Sequence, residues 1–377
     1  MIVRFGFVAM SMQLTNASPS KTMTFKSFSG LADREAGLRR LERIAGENLH
    51  NTLRLLRHCA AHGIGVYRFS SKLIPLLTHE ELRDWSPWPA LSEPFADIGA
   101  FVKEKGMRVS FHPDHFCVFS TPRPEVLVSS KRDMEYHVRM LEAMGLDERA
   151  KCNIHIGGAY GDKAAAGERF VRQLGGLPDQ FRSRITLEND DKTFTARETL
   201  EAAEAAQTPM VLDIHHHAVN GGGETEASLL GDLWPRIVRT WEREAELRRI
   251  RPQAGQETGA GTANKVSVGQ DARPAAVMAA LADAAEDSAA GQAPLPPKLH
   301  ASSPKSAGDP RGHADYVETG PLVRFLRETA GSVPALDCML EAKLKDEALF
   351  KLMDDMRALE AAGEGIRVVD GGTIEVR

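Results

Sequence analysis

No stretch of this chain approaches the ~20 consecutive apolar residues that a membrane-spanning helix needs, so no membrane partner is expected. The opening residues MIVRFGFVAMSMQL carry neither a basic leader nor a small-residue cleavage site. The expected location is therefore the cytoplasm, beside the nucleoid in a prokaryote. Cysteine is scarce and scattered: Cys59, Cys117, Cys152 and Cys338 form no CxxC pair. That excludes a disulfide framework and a thiolate zinc cluster, and leaves reduced thiols. An excess of positive charge is also missing, because the formal net charge is −5. A nucleic-acid role would then require a local basic face or bound cations. What is present, 377 residues of which 42% are hydrophobic and 26% charged, suits a globular chain with one large core.

Short apolar or β-branched runs alternate with longer amphipathic ones. Strands are predicted at 3–9, 66–70, 108–113, 152–158, 185–190, 210–216, 297–302 and 338–342. Helices are predicted at 34–62, 94–106, 130–145, 162–174, 195–207, 225–249, 315–330 and 343–361, with Thr195 and Glu198 placed as a capping box. Eight rounds of strand and helix point to an α/β protein, a single (β/α)8 TIM barrel with a parallel core over residues 1–361. A doubly wound open sheet is the alternative, disfavoured because no Gly-rich phosphate turn follows the first strand. Residues 250–296 break the rhythm with Gly, Ala, Gln and Thr and read as a flexible, low-complexity insertion before the seventh strand. The tail 362–377 contains a Gly-Gly pair around which a small hairpin fits.

Polar residues fall where barrel strands end, the end whose loops build active sites. His112 closes the third strand, His155 lies in the fourth, Glu188 ends the fifth, Asp213 and His216 accompany the sixth, Lys298 and His300 flank the seventh, and Glu341 ends the eighth. A single histidine on a strand is more often a hydrogen-bonded core residue than a ligand. Burying Glu188, Asp213 and Glu341 together changes the balance, because three carboxylates at one end of a barrel repel one another and cost several kcal/mol each to desolvate. No arginine stands at the ends of strands four to eight, whereas neutral imidazoles surround the carboxylates. Divalent ions are the expected neutralising charge, two or three of them, with Mn or Zn suited to mixed His and carboxylate donors. In the run His215, His216, His217 not all three side chains can face the barrel mouth, so at least one lies outside the ligand shell.

The motifs HIGGAYGDK (155–163), LEND (187–190), LDIHHHAVN (212–220), KLHAS (298–302), GHA (312–314) and LEAK (340–343) resemble the UV damage endonuclease family, single-domain TIM barrels that nick DNA 5′ to a lesion. The resemblance implies a metal-dependent DNA repair endonuclease acting on damaged double-stranded DNA. It implies that His112, His155 and Glu188 hold one ion, with Glu188 bridging to a second held by Asp213, His300 and Glu341. A third would take His216 and His313, and Lys298 would sit beside the metals, so that Glu188, Lys298 and His300 form the catalytic set. It also implies DNA contacts from the loop after the third strand, where HPDHF places His115 and Phe116 at positions usually filled by a glutamine and a tyrosine. Lys72 stands where a histidine is typical, Tyr160 lies in the fourth-strand motif, and Phe7 replaces a tyrosine. Two other readings compete: a metal-dependent sugar isomerase or epimerase on a related barrel, and a DNA-binding barrel without turnover.

Overall fold

The structure is a computed structural model that describes residues 1–113, 117–250 and 294–377. Eight parallel strands close into a barrel: β1 (Ile2–Val8), β2 (Val66–Arg68), β3 (Arg108–Phe111), β4 (Lys151–His155), β5 (Ile185–Glu188), β6 (Met210–Asp213), β7 (Lys298–Ala301) and the eighth barrel strand, β10 (Ala335–Leu340). Closure runs through β1, which pairs in parallel with β10 from Ile2↔Ala335 to Phe7↔Leu340. The (β/α)8 expectation holds.

The helices bury the stripe that their spacing predicts. In Arg34–Ala61 the buried set Leu38, Leu41, Ala45, Leu49, Thr52, Leu55, Leu56 and Cys59 repeats at three and four residues. Its start is capped by Asp33, which accepts from the amides of Glu35 and Ala36. In Ala196–Ala206 the capping box is present as read, with Thr195 accepting from the Glu198 amide and Glu198 from the Thr195 amide. Between the barrel and its helices, Phe7, Tyr67, Phe69 and Phe111 form a chain of ring contacts with centroids 5.7, 5.6 and 5.1 Å apart.

Four expectations are corrected. The sixth strand stops at Asp213 rather than 216, because Asp213 accepts from the His216 amide and caps a short helix, Ile214–Val219, on which all three histidines ride. The other seven barrel strands also end one to three residues before their predicted limits. After β7 comes a hairpin that was not foreseen, β8 (Pro304–Ser306) against β9 (Asp309–His313), which returns His313 to the mouth. Finally, the predicted insertion 250–296 falls largely on residues 251–293, outside the described residues. Its last residues belong to the barrel, since Leu295 is buried and the Pro296 carbonyl accepts from Arg108 Nη1 at 2.6 Å.

The tail forms the expected hairpin, β11 (Ile366–Val368) with β12 (Thr373–Val376), and does more. β12 pairs antiparallel with Ile2–Arg4 of β1, on the edge whose other half, Gly6–Val8, is taken by β2. A tail strand thus fills the length of β1 that the short β2 leaves open.

Candidate metal centre at the barrel mouth

Alternation along the strands aims every second side chain into the barrel. On β3 and just after it these are Arg108, Ser110 and His112, on β4 Asn153 and His155, on β5 Thr186 and Glu188, on β7 Lys298 and His300, and on β10 Asp337, followed past its end by Glu341. The result is a polar column. At its base Asp337 accepts from Arg4 Nε and Nη2 at 2.7 and 2.8 Å and from Arg108 Nη1 at 2.6 Å. At mid-height Lys298 Nζ donates to Ser110 Oγ at 2.8 Å and Thr186 Oγ1 to Asn153 Oδ1 at 2.8 Å. At the mouth stand the histidines and carboxylates.

Glu188 is the hub. Its Oε2 lies 3.3 Å from His112 Nε2 and 3.1 Å from His300 Nδ1, and it accepts from Asn153 Nδ2. Its Oε1 faces His216 Nδ1 at 3.6 Å and has no hydrogen-bond partner among the described residues. Three sets of donors therefore meet at this one side chain: His112 with His155, Asp213 with His216, and His300 with Glu341. The sixth-strand pair differs from the expected grouping, since His216 joins Asp213 and Glu188, while His313 falls in no set among the described residues.

The donors are oriented as metal ligands need to be. Nδ1 of His112, His155, His216 and His313 lies 3.0, 3.1, 3.0 and 2.6 Å from the carbonyls of Pro113, Glu188, Asn189 and Glu341. Donation of the Nδ1 proton to a carbonyl puts the lone pair on Nε2, the usual arrangement behind a ligating imidazole. His300 differs: its Nδ1 lies 3.1 and 3.0 Å from Glu188 Oε2 and Glu341 Oε1, yet neither ring nitrogen makes a well-formed hydrogen bond among the described residues. Donors about 2.1 Å from a shared ion are roughly 3 to 3.5 Å from each other. With Glu188 Oε1 and Asp213 Oδ2 buried and unpartnered as well, the residues fit divalent ions.

His215 is otherwise engaged, its ring nitrogens lying 2.6 Å from Ser302 Oγ and 2.8 Å from the Pro310 carbonyl. His217 belongs to none of the three donor sets found among the described residues.

Charge is unevenly shared. Burial works against ionised Glu188 and Glu341, but His300 and His155 around the first, and Arg68 and His300 around the second, hold both carboxyls well below the usual range. Asp213 goes the other way, pushed up to about 6 by burial that the nearby His216 only partly offsets. For His216 burial is outweighed by Asp213 and Glu188, which raise it to about 9. Burial, then Arg108 and Arg68, bring Lys298 down to about 7.

Of the residues expected to meet DNA, Lys72 is exposed on the loop after β2, and neighbouring Ser71 ties that loop to the mouth by donating to the His112 carbonyl at 2.7 Å. Tyr160 is exposed, at φ 52° between Gly157 and Gly161, with the Arg169 guanidinium 5.8 Å from its ring. His115 and Phe116 lie outside the described residues.

Four neighbours of the centre were missed from sequence. Asn153 holds Glu188, and its place two residues before His155 was a usable signal. Asn189 exchanges two hydrogen bonds of 2.9 Å with the Asp213 backbone and so continues the ladder between β5 and β6. Arg68 reaches Glu341 from β2. This corrects the expectation that arginine plays no part in neutralising the carboxylates: the ends of strands four to eight hold none, and the guanidinium comes from the second. Lys345 lies near enough to Arg68 and Glu341 to be perturbed by both, and no spacing rule marks it.

The family model described as UV-endonuclease UvdE matches residues 3–259 and 278–375. The chain is 38% identical over 376 residues to a UV DNA damage endonuclease of Halalkalibacterium halodurans, covering 100% of this chain and 99% of that protein. It is 39% identical over 375 residues to one of Bacillus pumilus, covering 99% and 98%. Among solved structures, SacUVDE superposes with a TM-score of 0.71 at 24% identity, covering 96% of this chain and 99% of that one, a likeness of fold.

Proposed function

We infer the function from one premise: the chain belongs to the UV-endonuclease UvdE family. It is a DNA repair endonuclease, and DNA is its substrate. The finer reading is that it is metal-dependent and hydrolyses a phosphodiester 5′ to a UV photoproduct or similar lesion in duplex DNA.

The observation that carries this reading is Glu188, shared by three donor sets at the C-terminal mouth of the barrel, with its Oε1 buried and unpartnered. His112, His155, Glu188, Asp213, His216, His300 and Glu341 would hold the ions, and His313 would complete a third position beside His216. When bound, divalent ions such as Mn or Zn would supply positive charge against the phosphodiester and lower the pKa of an attacking water. The chain's own residues do the rest. Asn153 fixes Glu188, the backbone carbonyls fix the imidazole tautomers, and Lys298 offers an amine poised near neutrality beneath His300. Lys72 and Tyr160 lie on exposed loops, where a phosphate contact and a base-stacking contact are accessible. His115 and Phe116 would probe the lesion from the loop after β3.

The test is cleavage of a labelled duplex carrying one cyclobutane dimer, with Mn²⁺, read on a denaturing gel beside an undamaged duplex. A nick immediately 5′ to the dimer alone is the expected result. Equal cutting of both duplexes would remove the lesion claim, and sugar turnover without DNA cleavage would replace the reading with the isomerase one.

A further inference from the structure

Glu341 does not face the centre alone. Arg68, at the end of β2, crosses the rim past β1 and sets Nη1 against Glu341 Oε1. That same oxygen lies 3.0 Å from His300 Nδ1, and Glu341 belongs to the donor set of Glu188, His300 and Glu341. One carboxylate therefore has two claimants, a guanidinium and whatever cation the set binds. The second has the advantage. Two charges about 2.1 Å away attract an anion roughly two to three times as strongly as one charge about 2.8 Å away, at any given dielectric.

A displaced Arg68 keeps its charge and its fork of donors, which match a phosphate bidentately. It lies at the rim, with 13% of its side chain exposed, in a chain whose net charge is −5. Lys345 adds a second cation beside it. This residue is non-glycine at φ 50°, a conformation that persists only where the surroundings demand it, here at the first residue of the helix Lys345–Ala361.

We propose that Arg68 is a phosphate-binding residue held in reserve: it neutralises Glu341 while no divalent ion is bound, and turns to the DNA backbone once an ion takes over that carboxylate. The inference rests on the metal-dependent reading above. It assigns Arg68 to substrate binding and makes metal loading and DNA affinity interdependent.

The full chain and its Arg68→Gln and Arg68→Lys variants would be titrated with Mn²⁺ by calorimetry, with folding followed by circular dichroism. Their Mn²⁺-loaded forms would then be titrated with an undamaged duplex at several KCl concentrations. Arg68→Gln should bind Mn²⁺ about threefold or more tightly, since the competing cation is gone. It should also lose about one from the slope of log affinity against log salt. Arg68→Lys should keep the slope and bind Mn²⁺ at least as tightly as wild type, which decides the matter if Arg68→Gln does not fold. Weaker Mn²⁺ binding in either folded variant, or an unchanged slope in Arg68→Gln, overturns the proposal. A wild-type protein that binds no Mn²⁺ overturns the metal reading with it, whereas variants indistinguishable from a Mn²⁺-binding wild type overturn this inference alone.

Discussion

Glu188 is pulled on by groups that each favour its ionised form, and only one of them is a neutral amide. Asn153 donates to Oε2 and is itself fixed by Thr186, so the carboxylate cannot rotate away from His112 and His300. Removing the charge and removing its support should have separable effects. Glu188→Gln keeps the shape but takes a negative charge from all three donor sets, and should lower nicking by at least about 10²-fold while the circular dichroism spectrum stays that of wild type. Near-normal cleavage would sink the metal assignment. Asn153→Ala keeps the charge and loses the support, and should weaken Mn²⁺ affinity by about 10- to 100-fold in calorimetry. An unchanged affinity would mean that the strand alone orients Glu188.

Between residue and fold, the elements show how far local chemistry reaches. Asp213 ends β6 and starts Ile214–Val219 in one stroke, with Oδ1 on the His216 amide at 2.7 Å and Oδ2 free for the centre. An aspartate before an apolar-ended run is an ordinary helix start, and that signal was legible; the continuing strand was the wrong reading because periodicity over so few residues does not separate the two. Two helix glycines make the same distinction between local and tertiary causes. Gly46, inside Arg34–Ala61, has open space where a Cβ would stand, so Gly46→Ala should stabilise the protein by about 0.5–1 kcal/mol through helix propensity. In Trp88–Glu104, a Cβ on Gly99 would overlap the backbone carbonyl of Met144, so Gly99→Ala should destabilise it by about 1–3 kcal/mol. Denaturant unfolding of both variants checks the opposite signs, and equal signs would refute the packing account.

For the whole molecule the polar column is the organising feature, and its base answers to pH. Asp337 is buried, and although burial alone would raise its pKa, Arg108 and Arg4 hold it below the ordinary aspartate value. A carboxyl depressed by folding adds stability that is fully present above its unfolded value of about 3.9 and is lost as pH falls through the lower folded value. The melting temperature of wild type should therefore drop on acidification below about pH 4. In Asp337→Asn that part of the drop should be missing, with a loss of about 3–5 kcal/mol already at pH 7 because Arg108 is left buried and under-paired. A variant with the wild-type acid profile would show that other carboxyls govern it.

The barrel itself, its eight strands and their order followed from periodicity in the chain, because alternation and amphipathic spacing are local properties that packing only had to accept. That Glu188, Asp213, His300 and Glu341 gather at the barrel mouth was legible for the same reason, as polar residues out of place at strand ends. What the tertiary structure decided was partnership. The base of the column, Arg4 with Asp337 and Arg108, joins residues 333 and 229 apart in sequence. Arg68 meets Glu341 across 273 residues, only because β2 and β10 flank β1. The hairpin that returns His313, and the tail strand that completes the edge of β1, are likewise set by which backbone edges remain unpaired once the barrel closes. Hydrogen-bonding demand of that kind exists only in the assembled molecule, so no window of sequence could carry it.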